Sequence, residues 1–540
     1  MSAGAHTPVQ VPAAAQTPPV EAESSGELRT LARGGTLGLL GVVVSAVLQF
    51  ALVVVVTRGL GAGGAGTFLE AVALFTIVAN LTQLGANTGL VRAISRARAL
   101  DRTGELRPTL RLALWPVVGV SSLAAVVLWA FSSSLARLLF HGVDHGVAVT
   151  YIKVFAAVLP LTPVTMAALS ATRGLGTMLP YVVVQNMALP ALRLALVLLV
   201  VSAGLGSAAV AAGWAVPAAL AFIATAACLR RLLGRAERAG QTLFGAVRPV
   251  RALADEFWRF AGPRGLASML GMTVTWTDIL LVGALRSTRE AGIYAAASRL
   301  SIAGAYALQA VGMAIAPQIS GLLARGSVAR VEALYRVATW WLMALSWPLY
   351  LTLIAFAPLV MGMFGPEFVS GQWALVILSG AMLVNLATGN VTVVLLMSGK
   401  SALNLINAAT SLGLNVVLNL TLIPSMGITG AAVAWAVSIV FVNVAPVVEV
   451  RMCLGMRPPF GSGYTVVAAA ALLCYGALGL AVQVPLGATW SALAVSCLAG
   501  TAIYVIALYR FRDALGLSHL RAALAPRLRR PAARSVEVQA

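Results

Sequence analysis

Residues 415–438 read NVVLNLTLIPSMGITGAAVAWAVS. The apolar run ending at Ile423 suits the end of a membrane helix, and the run from Ile428 suits the start of another. Between them stand Pro424, Ser425, Met426 and Gly427. Proline removes a backbone donor and glycine accepts positive φ, so the four predict a helix stop and a tight reversal. Gly430, Ala431 and Ala432 restart the chain with side chains small enough for a neighbouring helix to come close. Asn415 and Asn419 stand i,i+4 on one face of the first helix, which implies that this face meets another helix or water.

Working outward, the same pattern fills the chain. Of 540 residues, 60% are hydrophobic and only 10% charged, and the mean hydropathy is +0.91. Runs of about 20 apolar residues recur from residue 35 to residue 509, the mark of a polytopic helical membrane protein. The runs are continuous, which excludes the alternation of a β-barrel. The fold class expected is therefore all-α, with about 14 transmembrane helices. The expected spans are 35–57, 66–91, 112–132, 149–171, 180–202, 207–229, 262–285, 293–317, 335–361, 372–397, 402–423, 427–449, 463–483 and 488–509.

The net charge of +20 does not point to nucleic acid, because the basic residues lie between apolar spans. They crowd into alternate loops, while the opposite loops hold only Arg58, Arg137, Lys153, Arg286 and Arg289. This asymmetry predicts cytoplasmic N- and C-termini and an even span count. The four cysteines stand in or beside apolar segments without a C-x-x-C and read as packing residues. His141, Asp144 and His145 have a spacing that a metal site could use, but a polar loop is the better account. No cofactor or metal is expected.

The chain also repeats. Asn186, Gly206 and Trp214-Ala-Val216 recur 221 positions later as Asn407, Gly427 and Trp435-Ala-Val437, and Ala65-Gly-Thr-Phe68 recurs as Ala291-Gly-Ile-Tyr294. Spans 1–6 and 7–12 then form two six-helix lobes related by an axis along the membrane normal, with a substrate path between them. Spans 13–14 are an added C-terminal helix pair. The expected organisation is an unstructured tail (1–28), a first lobe (29–229), a basic linker (230–261), a second lobe (262–450), the helix pair (451–509) and a basic tail (510–540). The linker carries Arg230, Arg231, Arg235, Arg238, Arg248, Arg251 and Arg259 with Phe244, Phe257 and Trp258, a composition suited either to anionic headgroups or to a solvated connector.

Four stretches, in order, resemble one family. They are Arg58-Gly-Leu-Gly61 with Gly66-Thr-Phe68; Gln83-Leu-Gly-Ala-Asn87 through Arg92; Asp278-Ile-Leu-Leu-Val-Gly283 with Gly292 through Leu300; and the hairpin of residues 415–438. They are similar to the bacterial oligosaccharide repeat-unit flippases of the multidrug/oligosaccharidyl-lipid/polysaccharide (MOP) exporter superfamily, over about residues 30–450. The resemblance implies transport by rocking alternating access and no catalysis. The implied substrate is an undecaprenyl-diphosphate-linked oligosaccharide, carried across the bacterial plasma membrane for surface polysaccharide, with a polymerase and glycosyltransferases as partners.

Charged residues within spans are functional candidates, and arginine suits a diphosphate. Arg193 in span 5, Arg92 and Arg264 at the ends of spans 2 and 7, and Arg33 before span 1 are the substrate-binding candidates, with Asn415 and Asn419 toward the sugar. Asp278 and Arg299 are expected to pair as a gate or brace, and Glu70 to couple a cation or stand solvated. A lipid II flippase, a cation-coupled drug exporter and a membrane-embedded polymerase or ligase are the competing readings. The last usually needs a large outer loop, and the longest here is about residues 133–148.

Overall fold

A computed structural model describes residues 20–240, 248–302 and 304–511. The rest of the expected tails and linker residues 241–247, Phe244 among them, lie outside the described residues. Every regular element among those described is helical.

The first helix, Val20–Leu81, is 62 residues long and begins inside the stretch expected to lack structure. Straight, it would measure about 93 Å, some three times a bilayer core. It turns instead at Gly61, whose φ of 66° and ψ of −178° are open essentially to glycine alone. Before the turn, Gly41 packs on Val182 and Asn186, and Gly59 on Val201. After it, Gly66 meets Thr288 and Gly85 meets Ala261 and Gly265. Residues 40–60 therefore run alongside Tyr181–Ser202, and residues 62–81 run against Val250–Leu285. They are spans 1 and 2 of a hairpin. Span 2 breaks at residues 82–85, where Leu84 and Gly85 have positive φ, and continues as Ala86–Ala99.

Twelve described helices are long and apolar enough to cross a membrane, counting Leu40–Leu81 once. Splitting that hairpin, and adding the broken pair Thr288–Ile302 and Ala305–Ala324, gives the fourteen expected spans. Span 3 is Leu106–Ala130, span 4 joins His145–Val158 to Leu161–Gly174, span 5 is Tyr181–Ser202, span 6 is Ser207–Gly240 and span 7 is Val250–Leu285. Span 8 is the broken pair, span 9 is Val328–Ala355, and span 10 joins Gln372–Thr388 to Val391–Met397. Spans 11 to 14 are Ser401–Met426, Ile428–Leu454, Ser462–Leu486 and Trp490–Arg510. The linker is not a separate segment where it is described. Residues 230–240 prolong span 6, and residues 250–261 open span 7. Phe257 is buried with Leu90 and Ala261 in a core cluster rather than turned to lipid.

The opening hairpin behaves differently from its sequence in one respect. Span 11 runs through Pro424 to Met426, and Gly427 alone, at φ 58°, makes the reversal. Proline lacks the N–H for one i→i−4 hydrogen bond and crowds the carbonyl four residues back, which weakens the helix without ending it here. A Cβ on Gly430 would lie 2.5 Å from the Leu422 carbonyl oxygen, so the small residue is what lets spans 11 and 12 touch.

The two lobes meet through the repeat itself. A Cβ on Gly66 would collide with the Thr288 carbonyl oxygen, and one on Gly292 would lie 2.8 Å from the Gly66 Cα. These glycines are the repeat-equivalent pair, so the axis relating the lobes passes between them. Behind Gly66, Phe68, Phe75, Tyr151, Phe155 and Trp214 interlock, mostly edge to face, with Phe155 and Trp214 tilted and centred 4.7 Å apart. Spans 13 and 14 attach to span 9: the Tyr504 hydroxyl donates to the Ala344 carbonyl and the Gln483 amide to the Ala355 carbonyl.

Candidate functional site

One end of the bundle carries the arginines of the alternate loops and is called the basic end; the turns at Gly61 and Gly427 lie at the far end. At the basic end, Gly85 and Gly265 bring spans 2 and 7 backbone to backbone: a Cβ on Gly85 would collide with the Ala261 carbonyl oxygen. That approach sets Arg92, two turns along span 2, against the first turns of span 7. The Arg92 guanidinium lies 4.1 Å from the centre of the Phe260 ring, and that of Arg264 lies 5.6 Å from the same ring. Two expected substrate-binding residues, one from each lobe, thus share one aromatic ring. A cleft of about 510 Å³ opens beside Arg92 and Phe260, lined also by Arg96, Arg259, Asp255 and Glu256. Phe260 was not singled out from sequence; its one signal is its i,i+4 spacing to Arg264.

The rim of this mouth is tied by ion pairs. Arg248 bonds Glu105 at 2.8 Å and Glu256 at 2.7 Å, Arg96 also pairs with Glu256, and Arg107 grips Glu237. The hydrogen bonds to Glu105 and then Glu256 hold the Arg248 guanidinium well above its ordinary pKa. Arg92, Arg259 and Arg264 enter none of the ion pairs among the described residues.

Deep in the second lobe lies a polar cluster. The Asp278 carboxylate accepts from the Tyr294 hydroxyl at 2.9 Å and from the Asn419 amide at 2.7 Å, and Asn419 also donates to Asn415 at 3.1 Å. All four side chains are buried. The i,i+4 asparagines of the opening stretch therefore face a carboxylate on span 7. The expected Asp278–Arg299 pair is not formed: Asp278 gives its oxygens to Tyr294 and Asn419, and the Arg299 guanidinium stacks 3.8 Å from the centre of the Trp276 ring. Two atoms of the cluster, Asn415 Nδ2 and Asn419 Oδ1, have no partner.

Glu70 is not solvated. It is fully buried in the seam between the lobes, where the Thr288 hydroxyl donates to its Oε2 at 3.1 Å. Its Oε1 lies against Gly283 without a partner. His141 closes the same corner, its ring nitrogen 3.3 Å from the Gly283 carbonyl and its own carbonyl accepting from the Thr288 amide. Asp144 instead caps span 4 and His145 meets Ser133, so the three residues of the metal-like spacing have separate partners. Arg58 donates to the Met363 carbonyl at 2.7 Å, which adds a further tie across the far end.

Arg193 lies over Trp214, its guanidinium 3.7 Å from the ring centre and its Nε donating to the Trp214 carbonyl. It bridges spans 5 and 6 within one lobe. Asn407 donates to Glu449. The Arg33 side chain lies outside the described residues.

The family model for polysaccharide biosynthesis proteins matches residues 31–323, more than half of the chain. The chain belongs to that family. Two Haloferax volcanii proteins are similar to this family member. The probable low-salt glycan biosynthesis flippase Agl15 is 30% identical over 177 residues, covering 32% of this chain and 37% of that protein. The probable flippase AglR is 25% identical over 218 residues, covering 39% and 45%. The matches thus span less than half the length of either relative. Among solved structures, the inward-closed lipid II flippase MurJ aligns with a TM-score of 0.65 at 11% identity, over 89% of this chain and 99% of that one. An inward-facing multidrug transporter of the MOP superfamily aligns with a TM-score of 0.63 at 15% identity, over 76% and 94%. At such identities the likeness concerns the fold alone.

Proposed function

We propose that this polysaccharide biosynthesis protein is a flippase: it carries a lipid-linked oligosaccharide from one leaflet to the other by alternating access, without catalysis. The observation that carries the reading is the pair of arginines, one from each lobe, on the single ring of Phe260 at the basic end. A polyprenyl diphosphate presents doubly charged oxygens that guanidinium groups bind by paired donors. Arginines contributed by both lobes would feel the headgroup arrive and would separate when the lobes rock. The basic end faces the cytoplasm in this reading, with both termini on that side. In a bacterial plasma membrane the carrier would be undecaprenyl diphosphate, with glycosyltransferases supplying the substrate and a polymerase receiving it.

Asp278, with Tyr294, Asn415 and Asn419, serves as the coupling site in this proposal. A carboxylate that deep in lipid is costly unless a cation or proton joins it, and an ion held there would bias the packing of span 7 against span 11. A buried carboxyl is also what a cation-coupled drug exporter needs, but the arginine mouth favours an anionic substrate. A lipid II flippase shares the headgroup chemistry and differs in the sugar.

Two measurements test the reading. Deleting the gene should make lipid-linked oligosaccharide accumulate in the inner leaflet; normal surface glycan in the deletion strain would refute it. Arg92→Ala and Arg264→Ala should each lower complementation by about tenfold or more, equivalent to at least about 1.4 kcal/mol of substrate interaction, with membrane insertion unchanged. Accumulation of a peptidoglycan precursor instead of a surface-glycan intermediate would assign the lipid II reading.

A further inference from the structure

A second cleft at the basic end, of about 660 Å³, belongs to the first lobe alone. Three arginines reach it from three elements: Arg98 from the extension of span 2, Arg173 from the end of span 4 and Arg235 from the extension of span 6. None of them enters an ion pair among the described residues, whereas their neighbours Arg96, Arg107 and Arg248 all do. Asp101 is the acidic residue lining the cleft.

The arginines are held in place without being neutralised. Arg98 lies over Gly176, where a Cβ would come 2.5 Å from its Nη1. Arg173 stacks 4.8 Å from the centre of the Tyr181 ring, and its buried Nε has no hydrogen-bond partner. Leu175 and Leu232 supply apolar wall beside the cations. Oriented, unpaired guanidinium groups next to apolar surface, where helices leave a bilayer, match a phosphodiester with acyl chains below it.

We propose that this cleft binds the headgroup of one resident anionic phospholipid. The site is separate from the mouth between the lobes and does not depend on what the protein transports. A phospholipid bridging spans 2, 4 and 6 would brace the first lobe while spans 2 and 7 move past each other.

The test is native mass spectrometry of the purified full chain with phosphatidylglycerol, phosphatidylcholine or inorganic phosphate as the probe. One phosphatidylglycerol should stay bound about tenfold more tightly than phosphatidylcholine, whose phosphodiester is the same but whose choline cation the three guanidinium groups repel. Arg98→Gln with Arg235→Gln should abolish that preference, as should Arg173→Gln alone, while Arg330→Gln should leave it intact. Equal retention of the two lipids, or an unchanged preference in both cleft variants, would overturn the proposal. Displacement of phosphatidylglycerol by equimolar inorganic phosphate would also overturn it, in favour of a free-anion site.

Discussion

At the scale of the residue, charge and burial set the roles. Asp278 accepts two hydrogen bonds in a fully buried setting, and Asn is nearly the same shape. Asp278→Asn should therefore keep the fold, with a melting temperature at or above the native one, and abolish the ion dependence of flipping in proteoliposomes. An ion dependence that survives the change would remove Asp278 from the coupling site. That Asp278 needs polar partners was legible in the sequence, because a carboxylate inside an apolar run requires them. Its partner was not legible: the sequence put Arg299 at a plausible depth, but helix rotation turns Arg299 onto Trp276 and brings Tyr294, five residues earlier, to Asp278. The same holds for Glu70, an acid near a span end that the seam between lobes buries.

At the scale of the element, the turns carry the argument. Gly61 has open space around its missing side chain, so replacement there meets backbone strain and nothing else. Gly61→Ala should cost about 1–3 kcal/mol, read as a lower melting temperature in detergent, whereas Gly119→Ala, inside the span 3 helix with equal space around it, should leave the melting temperature unchanged or raised. A melting temperature unchanged by Gly61→Ala would mean that the span 1–2 turn tolerates another geometry. Turn chemistry was readable from composition at Gly427 and at the Gly59–Gly66 stretch. The role of Pro424 was not: the helix tolerates its missing hydrogen bond and runs on to Met426, so the proline does not make the stop that its sequence position suggests.

At the scale of the whole molecule, the lobes close on each other at the far end through Gly66 and Gly292. Gly292→Leu should wedge that contact apart and favour the far-end-open state. A cysteine replacing Thr288, which is fully buried, should then react faster with a maleimide in a background lacking the four native cysteines. Equal labelling rates with and without Gly292→Leu would show that the glycine contact does not hold the far end closed. The sequence by itself determined the helical membrane class, the fourteen spans, the two-lobed repeat and the basic end, because each is written in hydropathy, in spacing or in the placement of charge along the chain. Tertiary structure alone decided which polar groups meet: Arg92 and Arg264 on Phe260, Asp278 with Asn419, Glu70 with Thr288, Arg193 on Trp214. The physical reason is that a span's rotation about its own axis leaves its hydropathy unchanged in lipid. Packing between helices sets that rotation, and no one-dimensional pattern records it.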